Sequence, residues 1–193
     1  MASVLDRITL HVPVAEWTRI GFPATGLSLD GVSVTLVESH EVSRITAGIL
    51  NMNGVSGTEN IQSVVERSSC LTAENLLQLE TVDHLMVRTR KVDSTLHGLS
   101  KAFGTEISTD ANGERSVWLG TVRVDMVPFP DLSVPSELWG IAFRVADIDT
   151  IGGRLGGDVL GAPKPARQEG QRVAVFRSGA GLGVPTALMD RRG

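Results

Sequence analysis

The chain has 193 residues, of which 41% are hydrophobic and 21% charged, a composition typical of a globular protein. Its formal net charge of −4 gives no electrostatic reason to bind nucleic acid or an anionic membrane. A single cysteine excludes an intrachain disulfide and a thiolate zinc cluster, and no apolar run reaches the roughly 20 residues that span a bilayer, so we expect a cytoplasmic protein.

Residues 1–57 are predicted to form short strands and one short helix. Three segments alternate apolar or β-branched residues with polar ones, which predicts strands. These segments are residues 7–12, 31–38 and 44–52. Residues 14–22 have room for one or two helical turns. The polar residues 58–80 are predicted to connect this part of the chain to the next one.

The second half of the chain has a more regular pattern. A strand is predicted at residues 82–89 and a helix at residues 92–104, with Asp93 as its cap and Gly104 at its end. Three short strands follow, at residues 106–109, 115–120 and 122–130. A further strand is predicted at 138–145, a helix at 147–157, and two strands at 171–178 and 184–190.

The opening of a strand followed by a helix occurs three times along the chain. When residues 138–155 are laid over residues 82–99 without a gap, arginine falls on arginine and aspartate on aspartate. Residues 5–12 can be laid over residues 82–89 in the same way, and aspartate again meets aspartate. The opening of the chain is therefore predicted to be a shortened copy of the unit that follows twice.

These features resemble the vicinal oxygen chelate superfamily, the glyoxalase and bleomycin-resistance fold. The resemblance is carried by "VDHLMVRT" and the helix after it, by "LWGIAFRVADID" and by "ARQEGQRVAVFRSGAGLGVPTALMD". It implies an α+β fold in which paired βαβββ modules curl their mixed sheets into a cup for a ligand. It also implies three parts: a degenerate glyoxalase-like half at 1–57, a connecting segment at 58–80, and a glyoxalase-like domain of two modules at 81–190.

Metal-binding members of this superfamily place one ligand near the start of a module's first strand and another on its last strand. The equivalent positions in the first module are His84 and Asp125. In the second module they are Gly140 and Ala187, or Thr186 if the register differs by one residue. In the N-terminal copy they are Arg7 and Thr35. A stable divalent site normally uses at least three protein ligands. We therefore expect no tightly bound metal and no other cofactor, with weak binding of a divalent metal as the alternative.

The face of the first strand that would line the cup is polar. Alternation sets His84 and Arg88 on that face, and the resemblance adds Asp125 and Arg144 from equivalent strands. Such a cluster suits a carboxylate or a polarised carbonyl, because arginine forks match planar oxygen pairs. His84 and Asp125 are the catalytic candidates. The ligand-binding candidates are Arg88, Arg144, Trp139 as a stacking surface, and Gln168 and Arg172 near the mouth of the cup.

The same residues have a plainer interpretation, in which Arg88 and Asp125 form an internal ion pair and His84 bonds to the backbone. The leading hypothesis is a glyoxalase-like protein that binds, or acts on, an unidentified small molecule without a tightly bound metal. One alternative is a metal-dependent lyase, isomerase or dioxygenase using His84 and Asp125, and another is a structural or dimerisation module. The expected partners are a small molecule and a second copy of the chain, not nucleic acid or a membrane.

Overall fold

The computed structural model of the chain describes residues 4–40, 43–50 and 76–191. The strands are β1 Val4–Val12, β2 Leu27–Leu29, β3 Val32–Glu38, β4 Arg44–Leu50, β5 Leu79–Thr89, β6 Ile107–Thr109, β7 Arg115–Leu119, β8 Val122–Pro128, β9 Ser136–Val145, β10 Lys164–Pro165, β11 Gln171–Val175 and β12 Thr186–Arg191. The helices are α1 Val14–Arg19, α2 Val92–Phe103 and α3 Ile148–Leu155, with one 3-10 turn at Ser178–Ala180.

The larger sheet has eight strands in the order β10-β11-β12-β9-β5-β8-β7-β6. Its halves are built alike, because β5 lies parallel to β8 as β9 lies parallel to β12. The halves meet where β5 and β9 pair antiparallel. We call β5-α2-β6-β7-β8 the first module and β9-α3-β10-β11-β12 the second module. Two βαβββ modules in one mixed sheet confirm the predicted α+β fold.

The two module helices confirm the internal alignment read from the sequence but correct one of its details. α2 begins at Val92 and α3 at Ile148, and these two residues fall on each other when residue 138 is laid over residue 82. Gly104 ends α2 in the left-handed conformation, with φ of 61°, as predicted. The predicted Asp93 cap is wrong, because the residue before the helix is Lys91 and no side chain caps it. Asp93 lies inside the first turn and pairs with Arg115 instead.

Two short strands were not predicted. β2 has three residues and β10 has two, one of which is a proline. Segments this short show no alternation, so only their partners in the sheet define them. Most of the predicted connecting segment, residues 58–75, lies outside the described residues, and its end at Leu79 and Glu80 already belongs to β5.

The smaller sheet has the order β2-β3-β1-β4. In it, β1-α1-β2-β3 resembles a module with one strand fewer, and β4 takes the place of β9. β1 is parallel to β3, as β5 is to β8, and β4 is antiparallel to β1, as β9 is to β5. In this register Arg7 lies opposite Ser33, and Thr9 lies opposite Thr35. The N-terminal sheet therefore has the strand order expected of a shortened copy, while its status as a separate domain stays a prediction.

The two sheets share one hydrophobic core. Trp17 on α1 is fully buried, and its indole N–H donates to the carbonyl of Leu182, 2.9 Å away. Its ring meets Phe22 edge-on, with ring centres 5.3 Å apart, and Phe143 of β9 at 6.4 Å. Aromatic burial of this kind holds the N-terminal sheet against the second module. No helix among the described residues is long and apolar enough to cross a membrane.

Candidate functional site

The site lies on one face of the first module, which we call the first cup. β5 and β8 pair with His84 opposite Arg123 and Met86 opposite Asp125, and alternation puts these four side chains on one face. A cavity of about 260 Å³ opens on this face. Residues of β6, β7, β8 and the β10–β11 turn line it, among them Ser108, Ser116, Trp118, Arg123, Asp125 and Gln168.

The residue next to His84 in sequence holds its imidazole in place. His84 Nδ1 lies 2.9 Å from Asp83 Oδ1, and Arg144 donates a hydrogen bond to the other oxygen of Asp83. Strict alternation would send Asp83 to the opposite face. The register of β5 on β9 shifts between Val82 and His84, however, so the strand is irregular at Asp83. This irregularity brings a carboxylate whose side chain is only 7% exposed against the imidazole.

His84 is neutral at physiological pH and keeps one free ring nitrogen. Burial lowers its pKa to about 4, because desolvation outweighs the raising effect of Asp125, and Arg123 lowers the pKa further. Asp83, which contacts Nδ1, is itself ion-paired with Arg144. Nδ1 therefore carries the proton that is donated to Asp83, and Nε2 keeps its lone pair. Nε2 lies 4.0 Å from Asp125 Oδ2, beyond hydrogen-bond distance.

Asp125 is held on its other side by Arg123. Arg123 Nη2 donates to Asp125 Oδ2 at 2.8 Å. The amide oxygen of Gln168, oriented toward the same guanidinium, lies 2.6 Å from Nη2. Because Gln168 belongs to the second module, this contact crosses the module boundary at the cavity. The whole series, which we call the polar chain, runs Arg144, Asp83, His84, Asp125, Arg123 and Gln168.

Arg88 and Trp139 lie together, away from the hydrogen bonds of the polar chain. The guanidinium carbon of Arg88 is 4.1 Å from the ring centre of Trp139 and 4.7 Å from that of Phe129. Its Nη1 lies 3.8 Å from Glu137 Oε1, and its buried Nε has no hydrogen-bond partner among the described residues. Cation–π contacts with both rings hold this side chain in place.

The plainer interpretation of the site is wrong in both of its contacts. Asp125 pairs with Arg123 and not with Arg88, because Arg88 lies opposite Val127, two residues further along the strands. The imidazole of His84 bonds to a side-chain carboxylate and not to the backbone. The polar face is therefore internally paired, but through partners that alternation did not identify.

Arg172 lies on the helix side of the second module. Its cross-strand partner Asp190 is buried, accepts from Arg172 Nε at 2.9 Å, and also accepts from the backbone N–H of Ile148 at the start of α3. Asp149 of α3 accepts from Arg172 Nη1 at 2.7 Å. These bonds raise the pKa of Arg172 above its usual value. They fasten β11 and β12 to the helix, so we leave Arg172 out of the proposed site.

The matching face of the second module, the second cup, is apolar. Ala142, Ala187 and Met189 form a buried cluster, with Ala166 and Val173 packed against it. Ala142 lies opposite Ala187, just as Met86 lies opposite Asp125 in the first module. Ala187 therefore occupies the position of the carboxylate.

The position equivalent to His84 is closed by packing. A Cβ atom on Gly140 would lie 2.6 Å from Met86 Cε and 3.0 Å from the carbonyl oxygen of Pro185. Any side chain there would have to move the flexible end of Met86 and would press against the Pro185 carbonyl, which would have to shift by a few tenths of an ångström. A histidine at this position does not fit the fold as it stands.

The side chains present do not fit a three-ligand metal site. Among the described residues, no group of three or more His, Cys, Asp or Glu side chains is placed to hold a metal ion. His84 Nε2 and Asp125 supply two donor groups, and Arg123 already lies 2.8 Å from each oxygen of that carboxylate. We therefore derive no chemical step through a metal.

Two central members of the site were not among the predicted site residues. Strand alternation assigns Asp83 to the buried face, and only the strand irregularity brings it to His84. Arg123 shares a strand face with Asp125, and their positions on alternate residues of one strand were the only signal in the sequence. Trp118, which is 44% exposed on the cavity wall, was also not among the predicted site residues.

No family model matches the chain, and no curated protein matches it. Among solved structures, methylmalonyl-CoA epimerase from Mycobacterium tuberculosis is similar over 60% of this chain and 91% of its own, at 15% identity and a TM-score of 0.48. A hypothetical protein from Bacillus halodurans C-125 is similar over 58% and 95%, at 14% identity and 0.47. A Streptomyces coelicolor methylmalonyl-CoA epimerase variant in complex with 2-nitronate-propionyl-CoA is similar over 60% and 96%, at 18% and 0.45.

Similarity at these identities and TM-scores does not assign a ligand or an activity to this chain. The chain's own strand order confirms the predicted resemblance to the vicinal oxygen chelate superfamily at the level of the fold.

Proposed function

We propose that the protein binds a small polar molecule in the first cup, without a tightly bound metal, and that His84 is its central acceptor. The supporting observation is the neutral, carboxylate-anchored imidazole of His84 beside Asp125, which lines the cavity. At about 260 Å³ the cavity is slightly smaller than the roughly 300–1,000 Å³ of most ligand pockets. The ligand is therefore the size of a fragment or a single substituted ring.

The state of His84 limits the chemistry that this site supports. An imidazole whose Nδ1 proton is donated to Asp83 presents the Nε2 lone pair to a proton or a hydrogen-bond donor. Because burial lowers the pKa of His84 to about 4, Nε2 is first of all a hydrogen-bond acceptor. In a catalytic reaction it would act as base for a ligand proton that binding has made acidic.

A ligand screen by thermal shift on the full chain tests this function. A ligand that binds the folded state raises the melting temperature, by an amount set by its concentration relative to Kd. We expect hits among small polar compounds, and we expect Asp125→Ala to abolish the shift. Thr35→Ala is the matched control, because Thr35 occupies the equivalent position in the N-terminal sheet. Compounds that raise the melting temperatures of Asp125→Ala and Thr35→Ala equally would show that binding occurs outside the first cup.

Chelator treatment and elemental analysis test the metal-free part of the proposal. We expect the purified protein to lack stoichiometric divalent metal, and a chelator to change neither its melting temperature nor its ligand shifts. Ligand binding that disappears with chelator and returns with one equivalent of metal would instead support the lyase, isomerase or dioxygenase alternative through His84 and Asp125.

A further inference from the structure

The polar chain contains two hydrogen-bond acceptors that face each other with no donor between them. His84 Nε2 and Asp125 Oδ2 lie 4.0 Å apart. The imidazole proton is on Nδ1, bonded to Asp83, and Asp125 is ion-paired with Arg123, so neither group donates to the other. Asp125 lines the cavity, so a group that enters the cavity reaches its carboxylate, and Nε2 of the partly exposed His84 lies 4.0 Å from Oδ2 of that carboxylate.

The spacing of the two acceptors selects a donor atom that carries two hydrogens. The two acceptors are 4.0 Å apart. For a donor atom about 2.9 Å from each of them, the acceptor–donor–acceptor angle is roughly 90°. Two hydrogens on one nitrogen span that angle with slightly bent bonds. A hydroxyl has one hydrogen and leaves the second acceptor unpaired, which costs free energy in a half-buried site. A carboxylate has none and would be repelled by Asp125.

The charges around the pair favour a neutral donor over an ammonium ion. Asp83 is paired with Arg144, Asp125 is paired with Arg123, and His84 is neutral. Both carboxylates are therefore already neutralised by arginines. An added ammonium ion would have no counter-charge, and burying such a charge even partly costs free energy. A neutral –NH2 group supplies both hydrogens without this cost.

The cavity wall adds a flat surface. Trp118 is 44% exposed and lines the cavity. Its indole N–H donates to Ser108 Oγ at 3.2 Å, which holds the ring in one orientation. An exposed, fixed aromatic face favours a planar ligand that stacks on it.

We propose that the first cup takes a planar ligand with a neutral –NH2 group, a primary aromatic amide or an amino-substituted heteroaromatic ring. The two hydrogens of the nitrogen go to His84 Nε2 and Asp125 Oδ2, and the ring stacks on Trp118. This inference rests on the proposed function and adds the chemical class of the ligand.

Three probes with the same ring separate the charge classes: benzamide is neutral, benzoate is an anion and benzylamine is a cation. Binding to the full chain is followed by NMR of ¹³C-labelled methionine methyl groups. Met126 lines the first cavity and Met86 lies on the same cup face, whereas Met189 lies in the second cup and serves as an internal control. We expect benzamide to shift Met126 but not Met189, with a Kd at least about tenfold below that of the other two probes.

The role of the two hydrogens is tested on the unchanged protein with N,N-dimethylbenzamide. This probe keeps the ring and carbonyl but has no N–H, so we expect its Kd to be at least about tenfold higher than that of benzamide. His84→Phe removes one acceptor and should weaken benzamide by a similar factor. Thr35→Ala should leave the benzamide Kd unchanged.

Each other outcome contradicts the inference. Benzoate or benzylamine binding the first cup as tightly as benzamide would overturn the ligand class while leaving the proposed binding site in place. Equal binding of benzamide and its dimethyl derivative would overturn the two-hydrogen bridge. If no probe shifts Met126 up to its solubility limit, only water bridges the acceptors and the ligand class is wrong, whereas the wider screen still decides the proposed function.

Discussion

The two modules of the larger sheet share their strand order and differ in their cups. At equivalent positions the first module has His84 and Asp125, and the second has Gly140 and Ala187. The first cup is polar and opens to a cavity, while the second is filled by small apolar side chains and Met189. The repeated backbone thus gives both modules equivalent strand positions. The volume and charge of the side chains at a few of these positions decide whether a cup is open to a ligand.

One side chain of the first module explains much of this difference. Met86 lies opposite Gly140 where β5 and β9 pair, and its methyl group occupies the space that a side chain of Gly140 would need. On the neighbouring pair of strands, the same Met86 lies opposite Asp125, whose carboxylate lines the cavity. The antiparallel junction between modules therefore closes one cup with a residue of the other.

Removing the carboxylate that the two modules share should have the largest effect. Asp83→Ala leaves the half-buried guanidinium of Arg144 and the imidazole of His84 without their partner. We expect a loss of about 3 kcal/mol in the free energy of unfolding, at the lower end for broken buried pairs because Arg144 is partly exposed. Urea denaturation monitored by circular dichroism measures it. A loss below about 0.5 kcal/mol, the usual effect of a surface substitution, would show that the polar chain does not hold the modules together.

Filling the closed position in the second cup should have the next largest effect. Gly140→Ala places a methyl group against Met86 and the Pro185 carbonyl, so we expect about 2 kcal/mol of destabilisation from overpacking. Gly153→Ala is the control, since a Cβ at this exposed position of α3 meets nothing within 4 Å, and helix propensity predicts stabilisation of about 0.5–1 kcal/mol. Equal melting temperatures for both variants would refute the closed second cup.

The polar first cup should make stability depend on pH. The pKa of His84 is lowered from 6.5 to about 4 in the folded protein, so between these values the unfolded chain binds the proton and the folded one does not. The free energy of unfolding should therefore fall by up to about 1.4 kcal/mol per pH unit as the pH decreases through this window. Above pH 6.5, His84 should contribute no slope. An NMR titration that finds the His84 pKa at or above 6.5 would contradict the neutral imidazole.

The exposed contact between the modules at the rim should matter least. Arg167 Nη1 lies 2.9 Å from Glu114 Oε1, with the two side chains 75% and 56% exposed. Solvent screens such pairs, so Arg167→Ala should cost between about 0 and 1 kcal/mol in urea denaturation. A larger loss would mean that the rim, rather than the β5–β9 pairing, joins the two cups.

Part of the site followed from strand alternation and the internal repeat. Alternation placed His84 and Arg88 on one face, and the repeat laid Gly140 on the position of His84, where it supplies no ligand side chain. The side chain of Asp83 could not be placed in this way, because a shift of register at one residue reverses the face to which the next side chain points. Gln168 reaches Arg123 from a different module, and no local pattern records such a contact.

The sequence by itself determined the α+β architecture, because apolar alternation, helix periodicity and glycine turns are local and repeat with the module. Through the family resemblance it also predicted that the positions equivalent to metal ligands carry only two such side chains, those of His84 and Asp125. The tertiary structure alone decided that Arg123 pairs with Asp125, that Asp83 holds His84, and that Met86 closes the second cup. These outcomes depend on sheet register and on how much space neighbouring strands leave, and both are properties of the assembled sheet rather than of any segment.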